Sequence, residues 1–196
     1  MRTQVMRYEI VVVGSSWGGL GALKVLLGGL PSDFRLPVVV AQHRSVDSRD
    51  KGLASYYDAR CQLPVCAVED KQPIDPGTVY FAPPDYHLLI EAGTFALSVD
   101  ERVQFSRPSI DVLFESAVDS FGSKTIGVIL TGGNPDGAEG LLAVADAGGF
   151  TIVQDPVDAE KPDMPRAALE TVPRPGALLG LDEIPPYLTK LAGEIA

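Results

Sequence analysis

Short runs rich in Val and Ile recur along this chain, and most of them are followed by a stretch with helical spacing of apolar residues. That alternation constrains the fold more than any other feature. Near-continuous apolar strands must be covered on both faces, which implies a parallel sheet flanked by helices. Residues 8–13 read as the first strand. Gly14-Ser15-Ser16-Trp17-Gly18-Gly19 follows, and then Leu20, Leu23, Leu26 and Leu27 recur at helical spacing up to Gly28-Gly29. Residues 37–42 give a second strand, Ser48 an N-cap for a helix to about residue 60, and 64–68 a third strand. Residues 78–82, 87–91 and 95–99 are short and separated by Pro83-Pro84-Asp85 and Ala92-Gly93-Thr94, which predicts an antiparallel hairpin or small meander. After Pro108 the alternation resumes. Ser109 caps a helix with Val112, Leu113, Ala117, Val118 and Phe121 on one face, residues 125–130 form a strand, and a helix runs to about 147. Residues 150–153 are another strand, a Pro- and Asp-rich loop spans 155–165 before a short helix, and 184–192 give the last helix. The expected fold is α/β: one doubly wound, mostly parallel sheet with helices on both faces and an antiparallel β-hairpin excursion, in a single domain over residues 1–196.

Charge narrows the function. The chain carries 16 Lys and Arg against 26 Asp and Glu, a net charge of −10. A nucleic-acid backbone has no electrostatic footprint on such a surface, so no nucleic-acid partner is expected. No apolar run approaches the length of a membrane span, and the run at 10–13 is too short for a signal-peptide core. A cytoplasmic protein without membrane insertion is expected. Cys61 and Cys66 read as free thiols, and with only two histidines in the chain a metal site has little support.

In an open α/β sheet, reactive groups lie beyond the carboxyl ends of the strands. Three loops there carry Ser16, His43 and Asp136. Gly14-Ser15-Ser16-Trp17-Gly18 matches G-x-S-x-G between a strand and a helix, the pattern that projects a serine hydroxyl from a sharp turn. The same residues also suit an anion-binding turn or a purely structural one. A dinucleotide fingerprint is disfavoured, because its second glycine would fall on Ser16. A serine needs a base. His43 directly follows the second strand at the same sheet edge, whereas His87 lies in the hairpin, where a structural or substrate-side role fits better. Asp136, after the strand at 125–130, suits the group that orients the base, or else a helix N-cap. The order Ser…His…Asp differs from that of α/β-hydrolases.

Gly14-Ser15-Ser16-Trp17-Gly18-Gly19, Gln42-His43, Arg107-Pro108-Ser109-Ile110-Asp111-Val112-Leu113-Phe114, Gly127-Val128-Ile129-Leu130-Thr131-Gly132, Asp136-Gly137 and Met164-Pro165-Arg166 stand in fixed order. Together they resemble the catalytic domain of the chemotaxis receptor methylesterase family, CheB, over about residues 10–181. The resemblance implies hydrolysis of glutamate methyl esters on chemoreceptor signalling helices and, in many members, deamidation of receptor glutamines. It places the catalytic serine, histidine and aspartate on Ser16, His43 and Asp136, and it requires no metal or organic cofactor. Trp17, Gly133 and the amide of His43 are candidates for the oxyanion site, and Arg44, Arg107 and Arg166 for docking an acidic receptor helix. Trp17 stands where many members carry a small residue, Arg44 where Met-Pro is common, and Gly133-Asn134-Pro135 where Met-Gly-Asn is common. The first strand begins too early for the receiver domain that regulated members carry, so control through one is not expected here. A non-catalytic binding module of the same fold, or a hydrolase of another ester, is the alternative.

Overall fold

The computed structural model describes residues 7–44 and 52–194. Seven strands form one wholly parallel sheet, and two more form a separate hairpin. In chain order the elements are β1 (Ile10–Ser15), α1 (Gly19–Gly28), β2 (Val38–Gln42), α2 (Leu53–Asp58), β3 (Val65–Ala67), β4 (Val79–Phe81), β5 (His87–Glu91), β6 (Thr94–Ser98) and α3 (Ile110–Phe121). Then follow β7 (Thr125–Ile129), α4 (Ala138–Asp146), β8 (Phe150–Gln154), α5 (Asp163–Thr171), β9 (Ala177–Leu179) and α6 (Ile184–Ala192). The order across the sheet is β3-β4-β2-β1-β7-β8-β9. β1 is therefore the central strand, with β2 and β7 on either side, and the chain winds outward from it in both directions.

The pleat of β1 divides the core in two. Val11 and Val13 point to the face covered by Leu23, Leu26 and Leu27 of α1 and by Ile184 and Leu188 of α6. Ile10 and Val12 point to the opposite face, covered by Ile110, Leu113 and Phe114 of α3, Leu141 and Val144 of α4, and Leu88 and Ile90 of the hairpin. All of these side chains are fully buried. Each contributes roughly 1.5–3 kcal/mol of transfer free energy relative to exposure. The β5–β6 hairpin is held to α3 by hydrogen bonds as well: Ser116 Oγ accepts from the Ile90 amide at 3.1 Å, and Ser120 Oγ donates to the Ile90 carbonyl at 2.8 Å.

Two readings of the sequence need correcting. Residues 78–82 do not belong to the hairpin region: β4 is a parallel strand of the main sheet, between β3 and β2. Its Val79 and Phe81 complete one core face and its Tyr80 the other, so tertiary burial overrides the local turn chemistry. The short edge strand β9 was not expected; it adds beside β8. The predicted cap at Ser48 lies outside the described residues, and the helix described there is α2. Among the described residues, no helix is long and apolar enough to cross a membrane.

Candidate active site

β1 and β2 are paired in register up to Ser15 and Gln42, so Ser16 and His43 are the first residues past two adjacent strand ends. The His43 amide donates to the Ser15 carbonyl at 2.9 Å, which extends the ladder by one bond. On the other side of Ser16, its own amide donates to the Thr131 carbonyl just past β7, at 3.0 Å. The chain then turns sharply through Trp17 and Gly18 into α1. Gly18 adopts φ +77°, and a β-carbon there would lie 2.8 Å from Cβ of Glu160 and 3.0 Å from Oγ1 of Thr131. Only glycine meets both demands, which explains the last glycine of the G-x-S-x-G pattern.

A buried glutamine joins the serine and histidine loops. Gln42 Nε2 donates to the carbonyls of Ser16 (2.9 Å) and His43 (2.7 Å), while its Oε1 accepts from Ser15 Oγ at 2.6 Å. The sequence reading singled out Gln42 only as part of a motif and missed this function. Its one available signal was a polar residue closing an otherwise apolar strand.

Asp136 is fully buried, and its carboxylate is saturated. Oδ2 accepts from His43 Nε2 at 2.6 Å and from the Ile110 amide at 2.8 Å; Oδ1 accepts from Ser109 Oγ at 2.8 Å and the Asp111 amide at 3.1 Å. The expected alternative, an N-cap for the helix that follows, is not the arrangement found. Gly137 occupies the cap position of α4, and Asp136 instead caps α3 from outside. Burial pushes the Asp136 carboxyl up, but the bonds from His43 and the Ile110 amide outweigh it and hold the group below the ordinary aspartate range. Helix α3 adds the positive end of its dipole. Because a carboxylate only accepts, the proton of this bond is on His43 Nε2, and in the neutral ring Nδ1 then holds the lone pair. That nitrogen lies 3.4 Å from Asn134 Nδ2. Asn134 Oδ1 is buried and has no partner among the described residues.

A cleft of about 810 Å³ opens at these strand ends. Ser16, Trp17, Gly18, Leu20, Gln42, His43, Arg44, Ser106, Asn134 and Glu160 are among the residues lining it. Ser16 and His43 thus line the same cleft, although no hydrogen bond joins their side chains. The structure places the remaining candidates as follows. Trp17 stands 69% exposed at the mouth. Arg44 lines the cleft and also a smaller pocket shared with His43, Arg102, Phe105, Ser106 and Arg107. Arg107 is occupied, donating to Asp85 and to the carbonyls of Val99 and Asp100. Gly133 is exposed in the β7–α4 loop, and Arg166 is exposed on α5; neither lines the cleft or the pocket. His87 is buried in the hairpin. Its Nδ1 accepts from the Ser109 amide at 3.2 Å, and its Nε2 lies 3.0 Å from the Glu101 carbonyl, so its role is structural.

The chain is similar to known proteins over most of its length. A family model for CheB methylesterase matches residues 11–188. A relative from Leptospira interrogans is 49% identical over 166 residues, spanning 84% of this chain and 86% of its own. A protein from Anaeromyxobacter dehalogenans, named protein-glutamate methylesterase/protein-glutamine glutaminase 2, is 41% identical over 188 residues; the match spans 94% of this chain but 54% of that protein. The crystal structure of the Thermotoga maritima CheB methylesterase catalytic domain superposes with a TM-score of 0.88 at 35% identity, over 94% of this chain and 98% of that one.

Proposed function

Because this chain belongs to the CheB methylesterase family, we propose that it is a serine hydrolase that cleaves methyl esters of glutamyl side chains on a protein substrate. The observation that carries this reading is the 2.6 Å bond between His43 and a buried, saturated Asp136, at the wall of a cleft that Ser16 also lines. A surface histidine needs no such partner. A histidine that must gain and release a proton does.

The reaction we propose uses these groups in sequence. His43 Nδ1 accepts the Ser16 Oγ proton as Oγ attacks the ester carbonyl. The imidazolium is stabilised by Asp136, which is held ionised by its amide donors. The tetrahedral oxyanion forms beside the start of α1. The Ser16 amide is engaged by Thr131, so the donors on offer there are the amides of Trp17 and Gly18. Collapse transfers the proton from Nδ1 to the departing methoxide, releasing methanol. Water, deprotonated by the same nitrogen, then cleaves the acyl-enzyme to give glutamate and free Ser16. The same acyl step applied to a glutamine side chain releases ammonia instead. Ser16 and His43 are not hydrogen-bonded in the free enzyme, and catalytic bonds of this type commonly tighten only when substrate is bound.

The substrate we propose is a helical receptor segment bearing methylated glutamates. The cleft mouth suits a protein rather than a small ester, because Trp17 and Leu20 present apolar surface beside Arg44. Methanol release from a methyl-esterified receptor segment tests the reading. The wild-type protein releases methanol in step with new carboxylate, and Ser16→Ala does not. Equal release by both proteins would contradict it.

A further inference from the structure

The motif Arg107-Pro108-Ser109-Ile110-Asp111 contains a second carboxylate that the mechanism does not use. Asp111 sits in the first turn of α3 and is buried. Its Oδ1 accepts from the amides of Gly137 and Gly140, both at 2.8 Å, at the start of α4. Its own amide donates to Asp136 Oδ1. The two aspartates therefore exchange helices. Asp136, which precedes α4, caps α3; Asp111, which begins α3, caps α4. Asp136 is held on both flanks, through its carboxylate by the Asp111 amide and through the next residue's amide by the Asp111 carboxylate. The remaining oxygen, Oδ2, accepts from Gln104 Nε2 at 2.9 Å and ties in the segment that carries Ser106 to the cleft.

We propose that Asp111 is a positioning residue of this site, setting the direction of the Asp136 carboxylate, and through it the His43 imidazole, by reciprocal capping of α3 and α4. The proposal rests on the reading of His43 as the base. It also has an electrostatic consequence. A second buried negative charge behind Asp136 favours the imidazolium form of His43 over the neutral one. Among the described residues, these groups face the array. Asp136 and the neutral Asn134 contact the imidazole, and Arg44, Arg102 and Arg107 line the adjoining pocket. Glu160 also lines the cleft, beside Gly18, and burial raises the Glu115 carboxyl on α3, with Asp119, Glu139 and Asp136 adding to it.

Titrating the ring nitrogens of 15N-histidine-labelled protein by NMR reads this directly, since the chain has only His43 and His87. Asp111→Asn keeps the shape of the side chain and an oxygen for the Gly137 and Gly140 amides, but removes the charge. The His43 titration is expected to move to lower pH than in wild type, while His87 serves as the internal comparison. In the same variant, turnover of a methyl ester falls about 10–100-fold, the usual scale for a group that orients a site residue, with KM within about twofold. A change in thermal stability alone, with the His43 titration and kcat as in wild type, would overturn the proposal. If wild type shows no esterase activity but the His43 midpoint moves, the positioning stands and the functional reading falls. If wild type is active and Asp111→Asn matches it on both counts, the reverse holds.

Discussion

His43 and Asp136 meet through Nε2 and Oδ2 at 2.6 Å, which leaves Nδ1, 3.4 Å from Asn134 Nδ2, as the ring nitrogen not held by the carboxylate. The base is thereby committed to one tautomer before substrate arrives. Asp136→Asn loses that control, because an amide can offer a donor where His43 needs an acceptor. We expect kcat to fall about 10³–10⁴-fold, with far-UV circular dichroism as in wild type. Asp136→Ala goes further, leaving the buried Ile110 and Asp111 amides without acceptors at about 1–3 kcal/mol each. Its denaturation midpoint drops accordingly. Wild-type turnover by Asp136→Asn would remove Asp136 from the mechanism.

Gln42 touches no substrate in this account, but it spans the two loops that must act together. Gln42→Ala is expected to lower kcat by roughly tenfold to a hundredfold, since small displacements of reacting groups have effects of that size. KM for a small ester should change little. A rise in KM at constant kcat would show that Gln42 acts on binding instead.

Gly18 tests the turn itself. A methyl group there is strained at φ +77° and meets Glu160 and Thr131. Gly18→Ala should destabilise the protein by about 1–3 kcal/mol and depress turnover by more than that loss explains. A variant of full activity and stability would mean that the turn at 16–18 tolerates a different path.

Trp17, at 69% exposure, has little packing to lose. Trp17→Ala should leave stability within about 0.5 kcal/mol. KM for a methylated protein segment should rise several-fold, with KM for a small methyl ester nearly unchanged. Equal changes on both substrates would count against a docking role for the indole.

The two buried aspartates make stability depend on pH in opposite senses. Burial raises the Asp111 carboxyl to about 6, helped by the charge of Asp136 and opposed by the Gly140 and Gly137 amides. Its unfolded value is near ~3.9, so between about 4 and 6 the folded state binds the extra proton, and stability falls as pH rises through that window. Asp136 is depressed, so its contribution is present above about 4 and is lost as pH falls through its lower folded value. Chemical denaturation between pH 4.5 and 7.5 should show stability declining toward neutrality, with a shallower decline in Asp111→Asn. Identical slopes in the two proteins would assign the trend to other groups.

Much of this site was legible in the sequence because parallel α/β sheets place loop residues by strand order. Once residues 8–13, 37–42 and 125–130 were read as strands, Ser16, His43 and Asp136 had to emerge at one edge. Helix α6 was legible from its periodicity over 184–192, and α3 from the Ser109 cap. β4 was legible as a strand over 78–82 but not its place in the sheet, because so short a run ahead of Pro83-Pro84 carries no period long enough to separate a buried parallel strand from a hairpin arm. The bonds of Gln42, and the crossing of Asp136 and Asp111 between α3 and α4, were also hidden. Apart from the bond of Gln42 to the neighbouring His43 carbonyl, they join groups 25 or more residues apart, and such contacts leave no pattern in local sequence. Arg107 shows the converse. Its place in a motif suggested substrate docking, but its donors are taken by Asp85 and by two carbonyls.

The central claim is that Ser16 is the nucleophile and His43 activates it. Intact-mass and peptide-mapping analysis after treatment with a fluorophosphonate measures this most directly. One adduct per chain, located on Ser16, greatly slowed in His43→Ala and absent in Ser16→Ala, is the predicted result. An adduct on another residue, or labelling at Ser16 that proceeds at the wild-type rate without the imidazole, would contradict it.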